Sequence, residues 1–449
     1  MLYPRSPATA GPSYRVTFDA RASAADPPRQ QGKFAELDGL RGVASLVVVA
    51  WHFVYAFLPE RIGIVPSFDP AAGLVGNPVF ALLDGPGAVM LFFVLSGYVL
   101  PLGYFRSGQT EVVLRAAAKR WFRLMGLTLI AAVGSYLLFR FGLYGYREAA
   151  AFTRSDWLGS FGGGDVNGWL RPSLSDAVLE GSVFAFVRAA DAYNPVFWTM
   201  RDELFGSVMV FGLALLLGRC RALTGAALLV VAGVATQFVD PRLVAFVAGL
   251  ALSRATAHGL VSAGRWLAPA CLLAGLALFG YLEPRGAYAW LGFLHDGSAW
   301  RYDRIWLHTL GGVLLIPGVV GSERVGSWLA SGAGRLLGRL SFPVYLFHFP
   351  LLCSWTCWLF LAARPSLGQE AAVAVAALGT VPALLAVGYA FARVDEVWVA
   401  QLNRVARVIV PEGGGLEANR FTRGHDGRCG GADELPRRDG RLRPAGTDG

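Results

Sequence analysis

Residues 40–58 read LRGVASLVVVAWHFVYAFL, an apolar run whose only basic residues are Arg41 and His52. Its length suits a membrane-crossing helix, which needs about 20 apolar residues. The rest of the 449-residue chain is built in the same way: 54% of its residues are hydrophobic, 16% are charged, and the mean hydropathy is +0.47. A soluble domain carries about 25% charged residues. That deficit excludes a soluble enzyme, a disordered protein and a nucleic-acid-binding domain, and it points to an all-α polytopic membrane protein.

Working outward, further apolar stretches lie near 87–103, 124–139, 196–217, 223–238, 243–257, 266–282, 305–321, 340–361 and 371–391, about ten transmembrane helices in all. The first 35 residues hold no apolar run, so they are not a cleaved signal peptide, and the first span serves as the anchor. The chain has 40 basic and 31 acidic residues, and Lys33 and Lys119 are its only lysines. With the N-terminus in the cytoplasm, the short internal connections hold twelve basic residues and the short external ones six. This bias expects both termini in the cytoplasm. The stretch from Arg140 to Pro195, with Trp157, Trp169 and Gly162–Gly164, is then an external segment over the mouth of the bundle. Its glycines read as loop chemistry, because no helix with a Lys-Ser/Thr pair follows them. The expected organisation is a disordered cytoplasmic segment over 1–35, a transmembrane domain over 36–396, and a largely disordered cytoplasmic tail over 397–449 with no second domain. The five cysteines (Cys220, Cys271, Cys353, Cys357, Cys429) are scattered and read as buried thiols, with neither a disulfide framework nor a metal site.

An ionisable group inside an apolar span costs about 2.5–3.5 kcal/mol, so each one asks for a function. Arg41 and His52 are eleven residues apart. At about 100° per residue they share one helical face, separated by about 16 Å along it. They can line a single conduit; the plainer alternative is an orientation-setting arginine and a histidine bonded to a neighbouring helix. Glu203, in Trp198-Thr199-Met200-Arg201-Asp202-Glu203, falls at a depth similar to that of His52 and is expected to orient the imidazole, as a carboxylate does in base-assisted acyl transfer. Its alternative is an ion pair with Arg201 or with another helix's arginine. Arg115, Lys119, Arg120 and Arg123 open the third span, and the i, i+3 pair Arg120 and Arg123 suits a diphosphate as well as plain membrane anchoring. Ser96 reads as interhelical packing or site lining. Tyr345 and His348 share a face near mid-membrane. No Gly-x-Ser-x-Gly elbow, His-Glu-x-x-His or phosphate loop occurs, which speaks against a serine hydrolase, a zinc protease or an ATP-driven pump.

Together these segments resemble the acyltransferase 3 family of integral membrane O-acyltransferases, over about residues 36–395. Leu37-Asp38-Gly39-Leu40-Arg41 followed by His52 matches its Arg-x10-His pattern. Gly87 to Gly97 resembles its Phe-Phe-x-Leu-Ser-Gly segment, Arg120 and Arg123 its Arg-x-x-Arg motif, and Phe197 to Phe205 its Trp-Ser/Thr-Leu-x-x-Glu segment. Gly338 to Pro350 resembles its Ser-Tyr-x-x-Tyr-Leu-x-His element. Phe342 and Met200 depart from the usual Tyr and Leu without touching an ionisable group. The resemblance implies transfer of an acyl group, acetyl above all, from cytoplasmic acyl-CoA to a hydroxyl of a carbohydrate or other cell-surface acceptor, with no bound cofactor and no metal. Arg120, Arg123 and Arg41 would hold the donor phosphates. His52 would act as general base or accept the acyl group, Glu203 would orient it, and Asp38, Ser96, Tyr345 and His348 would line the site. A bacterial inner membrane is the expected location. A transporter or flippase of an acylated sugar or lipid would use the same buried polar groups, although no inverted repeat is visible. A scaffold of a glycan-assembly complex would not need them.

Overall fold

The computed structural model describes residues 35–63, 68–69, 73–165, 171–261, 264, 266–295, 297 and 301–411. Trp169, Cys429, the segment before Ala35 and the tail beyond Pro411 lie outside them. Among the described residues there is no strand. The principal helices are α1 (Ala35–Phe57), α2 (Gly85–Ser107), α3 (Thr110–Arg140), α4 (Thr199–Leu217), α5 (Ala222–Val239), α6 (Val244–Ala257), α7 (Leu267–Phe279), α8 (Tyr302–Gly321), α9 (Gly332–Leu351) and α10 (Cys357–Ile409). Six helical segments are long and apolar enough to cross a membrane: α1, α2, α3, α5, α8 and the stretch Gly332–Ile409. The chain is therefore a multi-pass integral membrane protein.

Local chemistry sets the ends of these helices. Glu36 and Asp38 occupy the first turn of α1, where acidic groups meet the positive end of the helix dipole. Asp84 caps α2 by accepting from the Gly87 amide at 3.1 Å, and Gly108 ends it in the left-handed region at φ 69°. Gly368, at φ 78°, breaks α10 into two helices.

Small residues decide which helix faces which. A Cβ on Gly42 of α1 would stand 2.4 Å from the Leu337 carbonyl carbon of α9, and one on Gly338 would stand 2.6 Å from Asp38. The α1 and α9 backbones are thus in direct contact, as small residues permit in membrane bundles. Helix α2 packs at its centre, against α1, α4, α6 and α8.

Two segments differ from expectation. Part of the 140–195 stretch does more than overlie the mouth: the helix Leu174–Leu179 and its continuation Glu180–Phe184 lie along α3, with Gly181 pressed on Leu129. Leu174, Val178 and Leu179 give it an exposed apolar face, which suits the flank of a membrane bundle better than a polar cap. The expected tail also begins late. Helix α10 runs to Ile409, and Trp398 donates to the Phe122 carbonyl at 2.8 Å, Lys119 to Asn403 at 2.6 Å and Arg115 to the Val410 carbonyl at 2.8 Å. Two of the four basic residues that open α3 therefore bind the end of α10, leaving Arg120 and Arg123 to face inward.

Candidate active site

Two cavities enter the bundle and meet at Val89 and Tyr345, which line both. The first, about 730 Å³, gathers Asp38, Arg41, Ser96, Arg120, Arg123 and Glu203, residues that the sequence placed on four separate helices. Of these, Arg41, Arg120 and Arg123 are each held by a carboxylate. Arg120 Nη2 lies 2.5 Å from Glu203 Oε2, and its Nε donates to Ser207 at 2.8 Å. The Ser96 hydroxyl reaches both Glu203 oxygens at 3.1 Å. Arg123 bonds Asp395 at 2.7 Å and lies over the Phe342 ring, so the phenyl that departs from the family's tyrosine supplies a cation–π face. Arg41 reaches back to Asp38 at 2.8 Å. Guanidiniums fixed in this way are pre-aimed for bidentate contact with phosphate.

The second cavity, about 480 Å³, is lined by His52. Glu203 does not orient this ring: it is taken up by Arg120 and Ser96, the ion pair with another helix's arginine that the sequence left as the alternative. The partner of His52 is His348, with Nδ1 to Nε2 at 2.7 Å. The rings are parallel to within 11° with centroids 5.0 Å apart, as an in-plane N···N hydrogen bond requires. The cause lies in the α1–α9 contact, which sets His52 against the His348 turn, whereas α4 turns Glu203 toward α2 and α3. Trp157, from the 140–195 stretch, lies parallel to the His52 ring on another side, at 5.2 Å between centroids.

The hydrogen bonds assign the tautomers. His348 Nδ1 lies 2.7 Å from the Tyr345 carbonyl, which can only accept, so Nδ1 carries the proton and Nε2 of the neutral ring accepts. His52 Nδ1 must then donate, which leaves the lone pair on His52 Nε2. His52 lines the cavity and the buried His348 does not, so His52 is the ring of the pair that meets the open space. Pro350 holds this turn of α9 in shape. Lacking an amide proton, it leaves the Leu346 carbonyl unbonded within the helix, and the buried Asn194 side chain supplies the missing donor at 2.7 Å.

Arg41 and His52 do not line one continuous conduit. Tyr345, whose hydroxyl bonds Thr199 at 2.9 Å, lines both cavities, whereas Arg41 lines only the first and His52 only the second. The sequence reading also missed Trp157, Asn194, Asp202, Asp240, Arg242, Arg301, Arg304 and the pair His308–Asp84 (2.8 Å). The rule that marked His52, an ionisable group within an apolar span, also applies to His308.

The bundle thus sets two hydrogen-bonded imidazoles among its helices, one of them lining a cavity. Residues 34–393 match the family model described as an acyltransferase domain, that of acyltransferase 3. The chain belongs to that family, and its activity is membrane acyl transfer. Searches of curated proteins and of solved structures found no match.

Proposed function

We propose that the protein moves an acyl group, acetyl in the simplest case, from cytoplasmic acyl-CoA to a hydroxyl of a cell-surface carbohydrate or similar acceptor, in a bacterial inner membrane. The observation that carries this is the chain from His52 through His348 to the Tyr345 carbonyl, which leaves the Nε2 lone pair on a ring that lines the second cavity. The positive-inside bias turns the first cavity to the cytoplasm. Arg120, Arg123 and Arg41 take the phosphates and the pantetheine arm rises between the helices. The arm displaces the Tyr345 side chain to bring its thioester past Val89.

The acceptor hydroxyl enters from the second cavity. His52 Nε2 takes its proton as the oxygen attacks the thioester carbonyl, and the C–S bond breaks from the tetrahedral intermediate. The departing CoA sulfur receives that proton. His348 accepts from His52 Nδ1 throughout, fixing the tautomer and ring angle and spreading the imidazolium charge, the role expected of Glu203 from sequence. Glu203 instead keeps Arg120 in place.

The test is purified protein incubated with labelled acetyl-CoA and candidate acceptors. Acceptor-dependent release of CoA together with label on the acceptor is expected. Movement of unmodified substrate across the membrane without CoA release would contradict transfer.

A further inference from the structure

The second cavity has a charge character that acyl transfer by itself does not require. Its described lining contains Arg242, Arg301, Arg304, His52 and His308 and no Asp or Glu. The balancing carboxylates stand behind that surface. Asp202 and Asp240, both buried, bind Arg242 from the rear and are shared with Arg201. Among the described residues Glu283 bonds three guanidiniums, Arg285 at 2.8 Å, Arg304 at 3.2 Å and Arg301 at 3.4 Å. Asp84 faces His308, and Asp303 is occupied by Tyr281 and His295. Three guanidiniums thus share Glu283 behind a cavity wall that carries arginines and, among the described residues, no carboxylate.

Two further features have the same sign. Arg301 Nε is buried and has no hydrogen-bond partner among the described residues. The cavity is also lined by Gly85 and Pro86 at the start of α2 and by Arg301, Arg304 and Ile305 at the start of α8, the positive ends of two long helices, which also hold the buried Asp84 and Asp303. Trp51 and Trp198 supply the apolar wall, and Arg242 lies over the Trp198 ring at 4.7 Å. A cavity of about 480 Å³ holds a sugar-sized group.

We infer that the acceptor carries a negative charge: a hydroxyl compound bearing a carboxylate or phosphate, seated on Arg301 and Arg304 with its hydroxyl at His52 Nε2. This rests on the transfer proposed above, and it adds the chemical class of the acceptor. The anion sits on the arginine side of the cavity and the reacting hydroxyl on the α1 side.

The experiment uses the full chain in nanodiscs. Glucuronate and glycerol 3-phosphate are titrated against tryptophan fluorescence, with glucose and glycerol as neutral counterparts. Saturable binding of at least one anion is expected, unaffected by saturating CoA and weakened about tenfold in Arg301→Gln, the size of one lost charged hydrogen bond. The better of the two anions tells a carboxylate from a phosphate acceptor. No binding of either anion, equal binding of the neutral counterparts, or displacement by CoA would overturn the inference. In turnover, kcat/KM for the acidic acceptor exceeds that for the neutral one, and Arg301→Gln collapses that ratio about tenfold. Equal efficiency toward neutral acceptors overturns the anion site and leaves acyl transfer standing. Anion binding without transfer to any acceptor does the reverse.

Discussion

His348 receives a hydrogen bond from His52 and passes none of its own to an acid: its outer proton rests on the Tyr345 backbone carbonyl, 2.7 Å away. A neutral imidazole thus occupies the orienting position next to the reacting imidazole, and the backbone of α9 fixes its direction. His348 is a positioning residue on this geometry. His348→Leu is expected to lower kcat by about a hundredfold while KM for acyl-CoA changes little. His348→Gln, whose amide oxygen can accept from Nδ1, restores part of the rate. A packing role alone would give no such rescue.

Glu203 acts on the donor side. Glu203→Gln is expected to raise KM for acyl-CoA several-fold by loosening Arg120, with a kcat change smaller than that of His348→Leu. Glu203→Ala leaves a buried guanidinium without its carboxylate and should cost up to about 3 kcal/mol of stability. Steady-state kinetics and thermal unfolding in detergent check both. A kcat loss in Glu203→Gln as deep as that of His348→Leu would return Glu203 to the chemistry.

Arg120→Lys and Arg123→Lys keep the charge and lose the planar fork. Each is expected to raise KM for acyl-CoA about tenfold, because a bidentate phosphate contact contributes on that order. Isothermal titration with a non-reactive acyl-CoA analogue measures this directly. Unchanged donor affinity in both variants would remove the pair from the donor site.

Tyr345 separates the two cavities, and its side chain is not the group that orients His348. Tyr345→Ala is expected to join the cavities and admit water to the thioester. CoA release without any acceptor should rise several-fold, alongside a stability loss of about 3 kcal/mol from the truncated aromatic. Unaltered hydrolysis would show that the partition lies elsewhere.

Much of this site was legible before any coordinates. The ten apolar stretches all fall on helices, and Asp38, Arg41, Ser96, Arg120, Arg123, Glu203 and Tyr345 line one cavity, because charge inside an apolar span has few places to go. The partner of His52 was not legible. Depth along a helix follows from the 1.5 Å rise, but which neighbour a face meets depends on contacts such as Gly42 against Leu337, which link residues far apart in sequence. Arg242, Arg301 and Arg304 were hidden for another reason. In the sequence they fall between the apolar stretches, where the positive-inside rule counts arginines as orientation signals, and only the fold brings them to one wall. Trp157 came from a segment read as a loop.

In the proposed transfer the reacting base is His52 Nε2. The direct measurement is acceptor-dependent CoA release by His52→Gln, in protein shown to bind acyl-CoA with wild-type affinity. Transfer should fall by about a hundredfold or more while donor binding persists. Transfer within a few-fold of wild type would show that the reacting base is another group.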